Sequence, residues 1–157
     1  MLASVKRVFE VLAFREQTLS VVESCTGGKL SGAFAELPGV SSVFHGGLVV
    51  YSNRFKELLL KIDANLLVSM GAVSLPVARE MARQAKKELG THWAVSVTGI
   101  AGPSGGSSDK PVGTVCFAVC GPGVELLDRQ QFSGDRLQVQ AQAVEHAVQM
   151  LERVLIE

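Results

Sequence analysis

The stretch VVESCTGGKLSG, residues 21–32, establishes the architecture of the chain, because it changes from a β-rich run to a helical pattern across a glycine turn. It joins a predicted strand over residues 18–24 to a predicted helix that begins at about Thr26. That helix ends before Leu37, which precedes a proline. Residues 2–16 carry apolar side chains at helical spacing. The chain is therefore predicted to begin with a helix, a strand and a second helix, an order typical of α/β domains.

The same alternation of short apolar strands and amphipathic helices continues along the chain. Further strands are predicted over residues 46–53, 93–99, 114–121 and 124–134. Further helices are predicted over residues 53–61 with Asn53 as cap, 65–70, 74–90 with Ser74 as cap and Gly90 as its end, and 137–155. The last two strands form a hairpin around Gly-Pro-Gly, and a hairpin joins antiparallel strands. The sequence thus predicts one three-layer α/β/α domain, residues 1–157, with a mixed sheet.

Composition excludes several classes of protein. The 157 residues suffice for one domain, and 47% are apolar while 19% are charged, which excludes a disordered chain. Fifteen basic and fifteen acidic side chains cancel, so nucleic acid is not an expected partner. Each apolar segment is shorter than the roughly 20 residues that cross a bilayer, so no membrane contact is predicted. Glu10 and Glu16 in the first helix are unlike a signal peptide, which indicates a cytoplasmic location. Since nucleic acid is not expected, a small molecule is the expected partner.

Cysteine and histidine spacing gives no metal or redox signal. The three cysteines, Cys25, Cys116 and Cys120, include no CxxC pair. The last two lie four residues apart, which in a strand places them on one face as small apolar side chains. The three histidines occupy a turn, a strand edge and a helix, with no acidic partner in register. We therefore expect no metal, no redox role and no Ser-His-Asp triad.

The turn Glu23–Gly28 is the first candidate for chemistry. Its two glycines allow a ligand to approach the backbone closely, and the free N–H groups of the following helix favour an anion such as phosphate. The turn matches neither the P-loop pattern nor GxGxxG. An ordinary strand-to-helix turn, with Ser24 or Thr26 as the helix cap, remains the alternative interpretation.

A second candidate joins a serine pair to a lysine. Ser41 or Ser42, Tyr51 and Lys56 can converge if the intervening strand brings both of its ends to one cleft. A serine hydroxyl needs a base to become a nucleophile, and a neutral lysine can serve. Lys56 falls in the first turn of its predicted helix, where the dipole disfavours a cation and favours loss of the proton. The alternative is a set of surface side chains without chemistry.

Two further segments contain groups that suit an anion. Thr98 and Gly99 end a predicted strand, and a glycine-rich loop of the kind that wraps a ligand follows up to residue 113. Arg136, in FSGDR at the start of the last helix, can bind a phosphate bidentately, or it can belong to an ordinary helix start.

Six segments in this order resemble the CinA C-terminal domain family. They are ESCTGG (23–28), the Ser-Ser turn with YSN and its lysine (41–56), GAVS (71–74), TGIAGPSGG (98–106), KPVGTV (110–115) and FSGDR (132–136). The resemblance implies a nicotinamide-nucleotide amidase, which hydrolyses the carboxamide of nicotinamide mononucleotide to nicotinate mononucleotide and ammonia. Larger proteins of the family carry an additional N-terminal domain, so the chain is expected to be a stand-alone form.

The resemblance also implies the roles of individual residues. The conserved polar positions of the family fall on Ser24, Thr26, Ser41, Tyr51, Lys56, Thr98 and Arg136. Two nucleophiles stay open: Ser41, with Lys56 as base and Tyr51 relaying a proton, or Ser24, which otherwise orients substrate. Backbone N–H groups near Gly27, Gly28 and Gly99 are the expected donors to the oxyanion or the ribose phosphate.

The expected reaction uses no cofactor and no metal, and a homo-oligomer is left open. The expected partner is a small nucleotide substrate. A non-catalytic nucleotide-binding or regulatory module of the same fold is the alternative function.

Overall fold

A computed structural model describes residues 1–156, which form five strands, six α-helices and one short 3-10 helix. The strands are β1 (Leu19–Glu23), β2 (Phe44–Val49), β3 (Trp93–Gly99), β4 (Thr114–Gly121) and β5 (Val124–Gln131). The α-helices are α1 (Leu2–Phe14), α2 (Lys29–Ala35), α3 (Asn53–Leu60), α4 (Ala64–Met70), α5 (Leu75–Leu89) and α6 (Arg136–Ile156), and the 3-10 helix is Val40–Ser42. None of these described helices is long and apolar enough to cross a membrane.

The strands form one sheet in the order β2-β1-β3-β4-β5. Strand β1 runs parallel to both β2 and β3, whereas β4 is antiparallel to β3 and to β5. The predicted mixed sheet and the hairpin near the C-terminus are therefore confirmed. Because β1, β2 and β3 are parallel, their carboxyl ends meet at one edge of the sheet, where α/β folds bind ligands.

Helices cover both faces of the sheet and confirm the three-layer α/β/α architecture. On one face α1, α2 and α6 pack on β1, β3 and β4 through side chains such as Leu12, Phe34 and Leu151. On the other face α5 packs with α3 and α4, and Met81 is fully buried there. Cys116 and Cys120 of β4 lie together in this second core, as their spacing predicts. The sheet is thus held rigidly between two apolar layers, so its edge is a firm support for side chains.

Strands β2 and β5 end four and three residues before their predicted ends, and the start of α2 and the cap of α3 also differ from the predictions. Helix α2 begins at Lys29, three residues after the predicted Thr26, because residues 25–28 form a turn in which both glycines adopt positive φ. Helix α3 is capped by Ser52, whose hydroxyl accepts the N–H of Phe55, and not by Asn53. The start of α2 therefore lies three residues later than predicted, and the cap of α3 lies one residue earlier.

Helix α2 packs closely over β2 at Gly47. A β-carbon at this position would lie 2.1 Å from Ser31 Oγ and 2.9 Å from Val21 Cγ2. Ser31 Oγ in turn donates to Glu23 Oε1 at 2.7 Å. The absence of a side chain at Gly47 therefore leaves room for a buried polar contact between α2 and the end of β1.

We expect Gly47→Ala to lower the free energy of unfolding by about 1–3 kcal/mol, because the added methyl group displaces the Ser31 hydroxyl from Glu23. Urea unfolding followed by circular dichroism measures the change. Gly32→Ala is the matched control: its β-carbon meets nothing within 4 Å, and the exposed helical site should gain about 0.5–1 kcal/mol. Equal effects of the two substitutions would contradict this description of the contact.

Candidate active site

A cleft of about 250 Å³ lies at the edge where β1, β2 and β3 end. Ser24 directly follows β1, β3 supplies Thr98 and Gly99, and the remaining walls come from the segments that follow β2, α4 and β3 and from Arg136 at the start of α6. Six of the residues predicted from the sequence line this cleft: Ser24, Tyr51, Lys56, Thr98, Gly99 and Arg136. The parallel strand order therefore brings together groups that are more than 110 residues apart in the chain.

A buried contact in the cleft joins the side chains of Lys56 and Ser24. Lys56, on α3, is 1% exposed, and its Nζ lies 3.1 Å from Ser24 Oγ. The same Nζ donates to the carbonyl of Val50 at 2.8 Å. No carboxylate of residues 1–156 forms an ion pair with it. Burial lowers the pKa of Lys56 from an ordinary 10.5 to about 8, so a neutral amine that can accept the Ser24 proton is accessible near neutral pH.

Ser41, the other predicted nucleophile, lies elsewhere. It belongs to the 3-10 helix that precedes β2, is exposed, and does not line the cleft. Lys56 follows β2, and the six residues of that strand span about 20 Å at roughly 3.3 Å per residue. The predicted pairing of Ser41 with Lys56 therefore does not form, because an extended strand holds its two ends apart.

A buried carboxylate that the sequence reasoning missed organises the Ser24 turn. Glu23 is fully buried, and its two oxygens accept five hydrogen bonds. The donors are Thr26 Oγ1 (2.6 Å), the N–H groups of Gly28 (3.0 Å), Leu30 (3.0 Å) and Ser31 (2.8 Å), and Ser31 Oγ (2.7 Å). An acidic residue at the end of a buried strand, directly before a helix start, was the signal, because a helix N-terminus favours an anion.

This carboxylate also changes the role of three residues predicted to bind substrate. The hydroxyl of Thr26 and the N–H of Gly28 both donate to Glu23, and the N–H of Gly27 donates to the carbonyl of Ser24 at 3.2 Å. None of the three residues lines the cleft. Their polar groups hold the turn in place, so the predicted contact of Gly27 and Gly28 with an oxyanion or phosphate is not formed by these N–H groups.

Cys25 lies beside Ser24 but is not a competing nucleophile. Its side chain is 5% exposed, and burial raises the pKa of the thiol to about 12. The reactive form of cysteine is the thiolate, which is scarce at neutral pH under these conditions. Ser24 with its neighbouring amine is therefore the better candidate nucleophile in this turn.

Thr98 and Gly99 shape the floor of the cleft. Thr98 is 1% exposed and donates its hydroxyl to the carbonyl of Ala72 at 2.9 Å, which fixes the loop between α4 and α5 as a wall. A β-carbon on Gly99 would lie 2.7 Å from Val115 Cγ2 and 3.0 Å from Cys25 Sγ. Thr98 and Gly99 therefore shape the cleft through their contacts with other parts of the protein.

Arg136 and Tyr51 form the opposite, more polar end of the cleft. The guanidinium of Arg136 donates to the Tyr51 hydroxyl at 2.5 Å and to the carbonyl of Gly102 at 2.8 Å. Within residues 1–156 no carboxylate neutralises it, and its side chain is exposed. A fixed, unneutralised guanidinium at the rim of a cleft can bind an anionic group of a ligand.

Comparisons with known proteins agree on one family. The family model described as "CinA C-terminal domain" matches residues 2–155. A CinA-like protein of Fervidobacterium nodosum is 45% identical over 150 residues, which cover 96% of this chain and 37% of that protein. A CinA-like protein of Synechococcus sp. (strain RCC307) is 52% identical over 136 residues, 86% of this chain and 32% of that protein. The chain thus spans about a third of the length of these curated relatives.

Solved structures match the chain almost throughout. A competence-damaged protein (CinA) superfamily protein of Klebsiella pneumoniae superimposes with a TM-score of 0.94 at 34% identity, covering 99% of this chain and 97% of that one. The competence/damage inducible protein CihA of Agrobacterium tumefaciens gives a TM-score of 0.95 at 34% identity, covering 99% and 95%. The fold described above is therefore the fold of these proteins.

We expect Lys56→Met to stabilise the protein at pH 7 by up to about 3 kcal/mol, because the lowered pKa makes the folded state a weaker proton binder than the unfolded chain. The destabilisation of the folded protein by the buried Lys56 is complete below pH 8 and decreases as the pH rises toward 10.5. The gain from Lys56→Met should therefore shrink between pH 7 and pH 10. Urea unfolding at both pH values measures it, with the exposed Lys87→Met as control. A gain that grows with pH would contradict the assignment.

Proposed function

The chain belongs to the CinA C-terminal domain family, and we propose that it hydrolyses the carboxamide of nicotinamide mononucleotide to nicotinate mononucleotide and ammonia. Ser24 is the proposed nucleophile and Lys56 the proposed base. The observation that carries this proposal is the contact of 3.1 Å between the Lys56 amine and the Ser24 hydroxyl inside the cleft. A lysine with lowered pKa beside a serine is an established arrangement for activating the hydroxyl.

In the proposed reaction the neutral Lys56 amine takes the hydroxyl proton of Ser24 while Oγ attacks the carboxamide carbon. Collapse of the tetrahedral intermediate breaks the C–N bond, and the Lys56 ammonium gives its proton to the departing ammonia. Water then attacks the resulting ester, with the same amine as base, and releases the carboxylate. Each cycle consumes one water molecule and returns Ser24 and Lys56 to their starting forms.

The N–H of Cys25 is the proposed donor to the oxyanion. Ser24 lies at a strand-to-helix turn, and at such turns the N–H of the residue after the nucleophile commonly stabilises the oxyanion. The carbonyl of Ser24 is engaged by the N–H of Gly27. Because a trans peptide directs its C=O and N–H to opposite sides, this contact turns the Cys25 N–H away from the interior of the turn.

Arg136 is the proposed ligand of the nucleotide phosphate. Its guanidinium is held at the rim by Tyr51 and Gly102 and has further N–H groups to offer. The phosphate carries the negative charge of the substrate, whereas the carboxamide is neutral. The Arg136 end of the cleft therefore suits the phosphate of the proposed substrate, and the Ser24 end suits its carboxamide.

Single serine substitutions test the nucleophile. We expect Ser24→Ala to reduce ammonia release from nicotinamide mononucleotide by a factor of about 1,000 or more, because removing a nucleophile abolishes the covalent route. Ser41→Ala should retain activity within about twofold, since Ser41 lies outside the cleft. Loss of activity in Ser41→Ala with retention in Ser24→Ala would reverse the assignment. Nucleotide binding by calorimetry without any turnover in the unaltered protein would favour the non-catalytic module.

The pH dependence tests the base. We expect kcat/KM to rise about tenfold per pH unit below the Lys56 pKa of about 8 and to level off above it, because only the neutral amine accepts the serine proton. Initial rates from pH 6 to 9.5 measure the profile, after a check that the protein stays folded over this range. A flat profile between pH 6 and 9 would exclude Lys56 as the base.

A further inference from the structure

A buried amide on α6 reaches the turn that carries Ser24. Gln140 is 6% exposed, and its Nε2 donates to the carbonyl of Cys25 at 2.8 Å. Its neighbours on the helix, Val139, Ala143 and Val144, are buried apolar side chains. An amide in such a place costs free energy unless it is hydrogen-bonded, so an apolar residue would serve packing equally well. The amide therefore has a role that packing alone does not require.

The contact fixes the peptide group directly after the nucleophile. The N–H of Ser24 donates to the carbonyl of Val97 at 2.9 Å, and the carbonyl of Ser24 accepts the N–H of Gly27 at 3.2 Å. The carbonyl of Cys25 is then held by Gln140. The first two contacts come from the neighbouring strand and from the turn itself. Gln140 supplies a third contact, which comes from α6 in the helix layer.

Helix α6 thereby links both ends of the cleft. Gln140 lies four residues after Arg136, so the two side chains lie on the same face of the helix, about 6 Å apart along its axis. Arg136 contacts Tyr51 and the carbonyl of Gly102 at the rim. One rigid helix therefore sets the spacing between the guanidinium and the Ser24 turn.

We propose that Gln140 is a positioning residue that holds the Ser24 turn in its reactive geometry through the carbonyl of Cys25. This inference rests on the proposed function, since Ser24 is the nucleophile in it. Gln140 does not line the cleft, so it acts on the rate of the chemical step and leaves substrate binding unchanged. A small displacement of a nucleophile is known to cost up to about a hundredfold in rate.

Gln140→Met keeps the length of the side chain and removes the donor. We expect it to lower kcat by about 10- to 100-fold while KM stays within about twofold. Gln149→Met, an exposed glutamine on the same helix, is the matched control and should keep both constants. Thermal unfolding of each variant sets an assay temperature at which all are folded. An unchanged kcat in Gln140→Met, or a loss carried by KM alone, would overturn the proposal.

Gln140→Glu adds a signature that loss of packing would not give. The ionised carboxylate cannot donate to the Cys25 carbonyl, whereas the protonated acid can. We expect the activity of Gln140→Glu relative to the unaltered protein to rise as the pH falls through the pKa of the new carboxyl group. The same ratio for Gln140→Met should be independent of pH. A pH-independent ratio for both variants would contradict the hydrogen-bond role.

Labelling of Ser24 separates this inference from the proposed substrate. A fluorophosphonate probe forms a bond between Ser24 Oγ and phosphorus, releases fluoride, and leaves the hydroxyl proton on Lys56. Mass spectrometry of the labelled peptide gives the rate, with Ser24→Ala as the blank. Slower labelling in Gln140→Met supports the positioning role even if nicotinamide mononucleotide is not turned over, an outcome that would refute only the substrate. Equal labelling rates in Gln140→Met and the unaltered protein would overturn the positioning role.

Discussion

The hydrogen bonds to the buried carboxylate of Glu23 are the constraint on which the candidate active site depends. A charge in the interior is tolerated only when its oxygens are saturated, and here five donors from the turn and from the start of α2 converge on it. Because Thr26 and Gly28 must face Glu23, the turn has little freedom to rearrange. The residue between strand and turn, Ser24, is left facing the cleft. The same carboxylate thus lies at the end of β1, accepts N–H groups at the start of α2 and orients Ser24.

Lys56, unlike Glu23, is buried at a net cost in stability. Its burial lowers its pKa and so weakens the fold at neutral pH, with no ion pair in the described chain to offset the cost. The contacts of its Nζ suit the neutral amine: one N–H is donated to Val50, and the lone pair can accept the hydroxyl proton of Ser24. Lys56 lowers stability and has the geometry of a base. This combination is expected where stability is traded for activity. The proposed role of Lys56 as a base therefore explains its position better than a contribution to folding does.

Periodicity and turn residues were sufficient to predict the order of the elements and the mixed sheet. Those signals are local, and the structure contains a strand in each segment where the sequence predicts one. The helix start at Lys29 and the role of Glu23 were not predictable in the same way, because they depend on a carboxylate reaching forward to several N–H groups at once. Likewise, the sequence left Ser41 and Ser24 open as alternative nucleophiles. The sequence shows which candidate site residues are present, whereas the distances between these residues depend on the order of the strands in the sheet.

Strand direction explains which motifs could meet. Parallel β1, β2 and β3 place Ser24, Lys56 and Gly99 after their carboxyl ends at one edge, and Ser41, before β2, at the other. The switch to antiparallel β4 has a further effect, because the end of β3 and the start of β4 then lie at that same edge. The glycine-rich loop 100–113 consequently stays at the cleft and supplies part of its wall. A parallel β4 would require the connection to cross to the opposite edge, so the antiparallel β4 is what keeps this loop beside the cleft.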